Sequence, residues 1–133
     1  MQLNNMISML SVSDIHKSLE FYQNALGFER LSPDEALSEW KWALIRSGKV
    51  ELMLNQGKGP VHPEDEHEFN AVFYFYPDNV ETLYKKLSNE GFPVTNLIVT
   101  FYGMKEFSLK DPDGHFLSFG EDTDEPPTEC DDE

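Results

Sequence analysis

Apolar positions along the chain change period several times, and each change marks an element. Residues 6–12 (MISMLSV) read as a first strand. Ile15, Leu19, Tyr22 and Leu26 then recur at helical spacing, so one face of a helix is buried. Ser13 stands where a cap is needed, Asp14 falls in the first turn, where the helix dipole favours an acid, and Gly27 takes the C′ position. Residues 28–32 read as a short strand and Pro33-Asp34-Glu35 as a turn. Residues 40–46 and 50–55 read as a hairpin around Ser47-Gly48-Lys49. An aromatic strand follows over 69–76. Asp78 and Glu81 form a capping box for a second helix whose buried stripe is Val80, Leu83, Tyr84 and Leu87, ended by Gly91. Residues 94–101, 105–110 and 115–120 read as strands. The last two are joined by Asp111-Pro112-Asp113-Gly114, in which proline pre-sets one turn angle and glycine accepts a positive φ.

The plan occurs twice. Asp14 to Gly27 and Asp78 to Gly91 both span thirteen residues, Leu19 matches Leu83, and Gly27-Phe28 matches Gly91-Phe92. Two copies of strand–helix–three strands follow, over about 5–55 and 69–121. They make a single α+β domain over 1–121, with a polar loop over 56–68.

Composition narrows the class of protein. A chain of 133 residues is one domain's worth. The net charge is −15, but residues 121–133 hold eight acids and no base, leaving about −7 for the other 120. That end of the chain has two prolines and no aromatic residue, so residues 122–133 are expected to form a disordered acidic tail. An acidic body argues against nucleic acid and is permissive for cationic ligands. No apolar run approaches membrane-spanning length, and the first residues lack a basic region followed by an apolar one. A cytoplasmic protein is expected, and the single cysteine, Cys130, fits a reducing compartment.

Two stretches carry a family resemblance: SVSDIHKSLEFYQNALGFE near the start and GMKEFSLKDPDGHFLSFGE near the end. Together with the repeat, they resemble the glyoxalase/bleomycin-resistance/extradiol-dioxygenase superfamily, the vicinal oxygen chelate fold, over about residues 5–121. The resemblance implies two βαβββ modules whose sheets curl into a cup, a ligand site within it, and a homodimer. Such a fold hosts many chemistries.

Metal-dependent members place four ligands on cup-facing strands. Counted from the matching motifs, those positions here are Ile7, Glu51, Val72 and Ser118, with Asn70 in reach if the third strand slips by two residues. One carboxylate remains where three or four donors are required, so no metal cofactor is expected; a divalent metal is the alternative. Of the histidines, His16 is expected to face solvent and His115 the side of its sheet away from the cup. His62 and His67 share an acidic loop that has no fixed ligand geometry.

Alternation then assigns side chains to the cup. The first module contributes Ile7, Met9, Ser11, Glu51, Met53 and Asn55. The second contributes Val72, Tyr74, Tyr76, Phe116 and Ser118. Trp40 and Trp42 share one face of their strand, and Phe101 and Tyr102 stand at the rim. The set is aromatic and apolar with one acid, Glu51, which is also the candidate catalytic base. Three functions fit: a metal-free protein that sequesters an aromatic or cationic compound, a glyoxalase-like lyase or isomerase using Glu51, or an interaction module with a filled cup. The first is the expected one. Pairing of Glu51 with Arg46 or Lys49 would be a purely structural use of the acid.

Overall fold

In a computed structural model the chain forms two compact units, Met1–His62 and Pro63–Glu133, and residues 1–57 and 71–128 are described. The expected loop with His62 and His67, together with Asn70 and Cys130, lies outside the described residues.

The first unit contains β1 (Ser8–Val12), α1 (Ile15–Leu26), β2 (Glu29–Arg30), α2 (Asp34–Trp40), β3 (Trp42–Ser47) and β4 (Val50–Gln56). Its sheet has the order β1-β4-β3-β2, with β1 parallel to β4 and the other pairs antiparallel. The second unit contains β5 (Val72–Phe75), α3 (Val80–Asn89), β6 (Ile98–Val99), β7 (Met104–Lys110) and β8 (Phe116–Asp122). Its order is β5-β8-β7-β6, again with only the outer crossover pair parallel. Each unit is therefore the same βαβββ plan, differing by the inserted α2. Among the described residues, two four-stranded sheets and three helices make an α+β protein of two βαβββ modules.

Each helix covers one face of its sheet. Leu10, Val12, Ala43, Ile45, Leu52 and Leu54 alternate with exposed or half-buried residues and are buried with Ile15, Leu19 and Tyr22 of α1. In the second unit Phe107, Leu109, Leu117 and Phe119 play that part with Val80 and Leu87 of α3. Phe119 stacks with Phe75 and Phe107 at centroid separations of 5.4 and 5.1 Å.

Several local features differ from the sequence reading. Asp14, not Ser13, caps α1: its Oδ1 accepts from His16 N and Lys17 N at 3.1 and 3.2 Å. Asn79, not Asp78, caps α3 by accepting from Thr82 N, while Glu121 Oε1 takes Val80 N at 2.7 Å. Glu81 is thereby released from a capping box and pairs with Lys105 at 3.3 Å.

The expected turn at residues 33–35 instead opens α2, because proline fixes the entry angle and Asp34 and Glu35 supply a favourable acidic first turn. Trp40 therefore ends a helix rather than starting a strand, and Lys41, at φ 53°, redirects the chain into β3. The strand expected over 94–101 shrinks to Ile98–Val99. Pro93 precedes it, and Thr95 Oγ1 accepts Ser108 N at 2.8 Å where a ladder carbonyl would otherwise serve.

Of the tail expected over residues 122–133, residues 122–128 are tied to the second unit, and residues 129–133 lie outside the described residues. Asp122 completes β8, Thr123 N donates to Gly103 O at 3.0 Å, and Thr128 meets both backbone groups of Val99. These contacts satisfy the outer edge of β6, which an acidic composition alone does not reveal.

Candidate functional site

The sheet faces turned away from the helices carry most of the expected site residues, Trp40, Phe101 and Tyr102 lying outside the strands. In the first unit Met9 pairs with Met53, Leu44 with Met53, Trp42 with Asn55 and Arg46 with Glu51, so Met9, Trp42, Glu51 and Met53 share that face. Ile7 precedes β1 in the same parity. Trp40 does not join them: it stands 72% exposed at the end of α2. Near the β3–β4 turn a cavity of about 340 Å³ is lined by Asn5, Met6, Ile7, Arg46, Gly48, Lys49 and Glu51. Its exposed walls are mostly polar, with Arg46, Lys49 and Glu51 as the charged members. Among the described residues no cation lies within 4 Å of Glu51, so neither Arg46 nor Lys49 forms an ion pair with it.

In the second unit Val72 pairs with Phe116 and Tyr74 with Ser118, while Tyr76 follows β5 and is 73% exposed. Ser118 is buried and shares a hydrogen bond with Ser108 at 3.0 Å. Phe101 and Tyr102 occupy the β6–β7 turn, where Thr100 O accepts Gly103 N and Gly103 has φ 82°. His115 lies against Phe73, 6.3 Å between ring centroids.

The residue that the sequence reading missed is Glu106, half-buried in β7 opposite Gly120. Tyr74 Oη donates to its Oε1 at 2.8 Å, and Tyr102 Oη stands 3.1 and 3.0 Å from its two oxygens. Two phenols, one from β5 and one from the β6–β7 turn, thus hold one carboxylate. Burial, and then the hydrogen bond to Glu106, push the Tyr74 hydroxyl well above the usual tyrosine range, and the same two causes raise Tyr102. Both phenols remain protonated donors near neutral pH.

The residues at the four ligand positions do not fit a divalent metal. Ile7 and Val72 have no lone pairs, and Ser118 is engaged with Ser108. Among the described residues, no three His, Cys, Asp or Glu side chains come together as a metal-binding group.

The Glyoxalase/Bleomycin resistance protein/Dioxygenase superfamily model matches residues 5–119, nearly the whole of both units. The chain belongs to this superfamily. Solved structures agree on the fold. A protein designated SMU.1112c is 27% identical, with a TM-score of 0.72 over 90% of this chain and 100% of that one. A bleomycin resistance determinant encoded on transposon Tn5 is 17% identical, with a TM-score of 0.70 over 90% and 98%. TioX from Micromonospora sp. ML1 is also 17% identical, with a TM-score of 0.72 over the same shares. No curated protein matches the sequence. Among the described residues no helix is long and apolar enough to cross a membrane.

Proposed function

We propose that this superfamily member is a metal-independent binding protein of the bleomycin-resistance type. It sequesters an aromatic or cationic small molecule, acting as a cytoplasmic homodimer. The observation that carries this reading is the contrast between the ligand positions and their surroundings. Hydrocarbon side chains occupy two of the four metal positions, while aromatic rings and carboxylates without ion partners populate the faces away from the helices. Aromatic faces attract cations and stack on planar ligands, and an acidic protein concentrates positive charge around itself.

Calorimetric titration of the full chain with a panel of neutral, anionic and cationic aromatic compounds, bleomycin included, tests the reading. Saturable binding of a member of the panel without added metal is expected; no binding by any of them contradicts it. Light scattering during size exclusion tests the homodimer.

One feature favours a second reading, a lyase or isomerase. Glu51 lines the 340 Å³ cavity without an ion partner, as a lone general base would. Turnover of a hemithioacetal or related carbonyl substrate that Glu51→Gln abolishes would establish it.

A further inference from the structure

We propose that the face of the second unit turned away from α3 holds a recognition site for an aromatic ammonium or amidinium, whose charge pairs with Glu106 between Tyr74 and Tyr102. This site depends on the ligand-binding reading above and gives it a ligand class and a location.

Glu106 is half-buried and its hydrogen-bond donors are neutral. An ionised carboxylate offers about four lone-pair directions, more than two phenols occupy. Among the described residues no Lys, Arg or His comes within 4 Å of it. Lys105, the next residue on β7, points to the opposite face and is paired with Glu81 and Glu125 at 3.3 and 2.6 Å. A partly desolvated anion without a counter-charge is costly, and a ligand cation carrying N–H donors supplies what is missing.

The surroundings select an aromatic carrier for that cation. The Tyr76 ring lies 5.2 Å from that of Tyr74, and Phe101, 89% exposed, lies 5.1 Å from Tyr102. Tyr76, Phe101 and Tyr102 are all exposed, and free ring faces attract a cation and stack with its attached ring. Because both phenols hold their protons near neutral pH, Glu106 alone sets the charge of the cluster. A neutral analogue would leave that charge unpaired.

Benzamidine and benzamide share a shape and differ in charge. Titrated into the full-length protein, benzamidine should bind at least about tenfold more tightly than benzamide. Its amide chemical-shift changes should centre on Tyr74, Tyr102 and Glu106. Glu106→Gln should reduce benzamidine to the affinity of benzamide, whereas Asp34→Asn, the same charge change on α2, should leave it as it was. Equal affinities for the two compounds, shifts confined to the first unit, or an unaffected Glu106→Gln would overturn the site while leaving the binding reading in place. Failure of every aromatic compound to bind would remove both. Should Glu106→Gln not fold, the charge selectivity and shift map of the unaltered protein decide the matter.

Discussion

Tyr74 and Gly120 are fitted to each other. The tyrosine reaches from β5 across β8 to Glu106 on β7 at a position where β8 has no side chain. A Cβ at Gly120 would overlap Tyr74 Oη and lie 2.9 Å from its Cζ. Gly120→Ala should therefore displace the ring and destabilise the protein by about 1–3 kcal/mol, as overpacking does. In a Tyr74→Ala background the same change should cost much less. Denaturant midpoints around this double-mutant cycle measure the coupling; equal costs in the two backgrounds would show that ring and glycine are independent.

Alkaline pH tests the same contact by another route. Tyr74 holds its proton more tightly folded than unfolded, where a tyrosine titrates near about 10. Its contribution to stability is thus complete below that pH and is lost as pH rises through the higher folded value. Tyr74→Phe should remove a late-titrating phenol from the ultraviolet absorbance titration and flatten the fall in stability above about pH 10. An unchanged alkaline limb would place the raised phenol elsewhere.

The paired elements were legible because periodicity and turn chemistry agree. The stripe from Ile15 to Tyr22, the left-handed Gly27 and the hairpin over Asp111–Gly114 each carry their own signal. What misled was local chemistry with two uses. Pro33-Asp34-Glu35 suits a turn and the first turn of a helix equally; read as a turn it puts Trp40 in a strand, whereas Trp40 ends α2. Nothing in the sequence singles out Glu106, because Lys105 to Lys110 is ordinary strand alternation. Pairing that strand with β8 across the turn sets Ser108 opposite Ser118 and Glu106 opposite Gly120. The parity was available in the sequence. The reach of Tyr74 over a glycine was not, because it depends on three strands lying side by side.

The β7–β8 turn makes a sharper stability prediction. Asp111 Oδ1 accepts from Asp113 N and His115 N, both at 2.9 Å, and Gly114 sits at φ 87°. Asp111→Ala should cost about 1–3 kcal/mol by leaving two backbone donors unsatisfied. Asp111→Asn, which keeps one acceptor oxygen, should recover part of that. Gly114→Ala should cost about 1–2 kcal/mol for the left-handed backbone. Chemical denaturation measures all three; identical losses for the Ala and Asn variants would argue against the two hydrogen bonds.

The contacts of Thr123 and Thr128 with Gly103 and Val99 predict that removing residues 123–133 destabilises the second unit. Freeing both backbone groups of Val99 should lower stability by about 1–3 kcal/mol and speed amide exchange at Val99. A truncated chain as stable as the full one would mean that this segment hangs free.

Ligand recognition without a metal is tested by a single titration. Full-length protein stripped with a chelator, then titrated calorimetrically with an aromatic cation, should bind with the same affinity before and after nickel, zinc or iron is returned. Binding that vanishes with the chelator and returns with one metal ion per chain would contradict it.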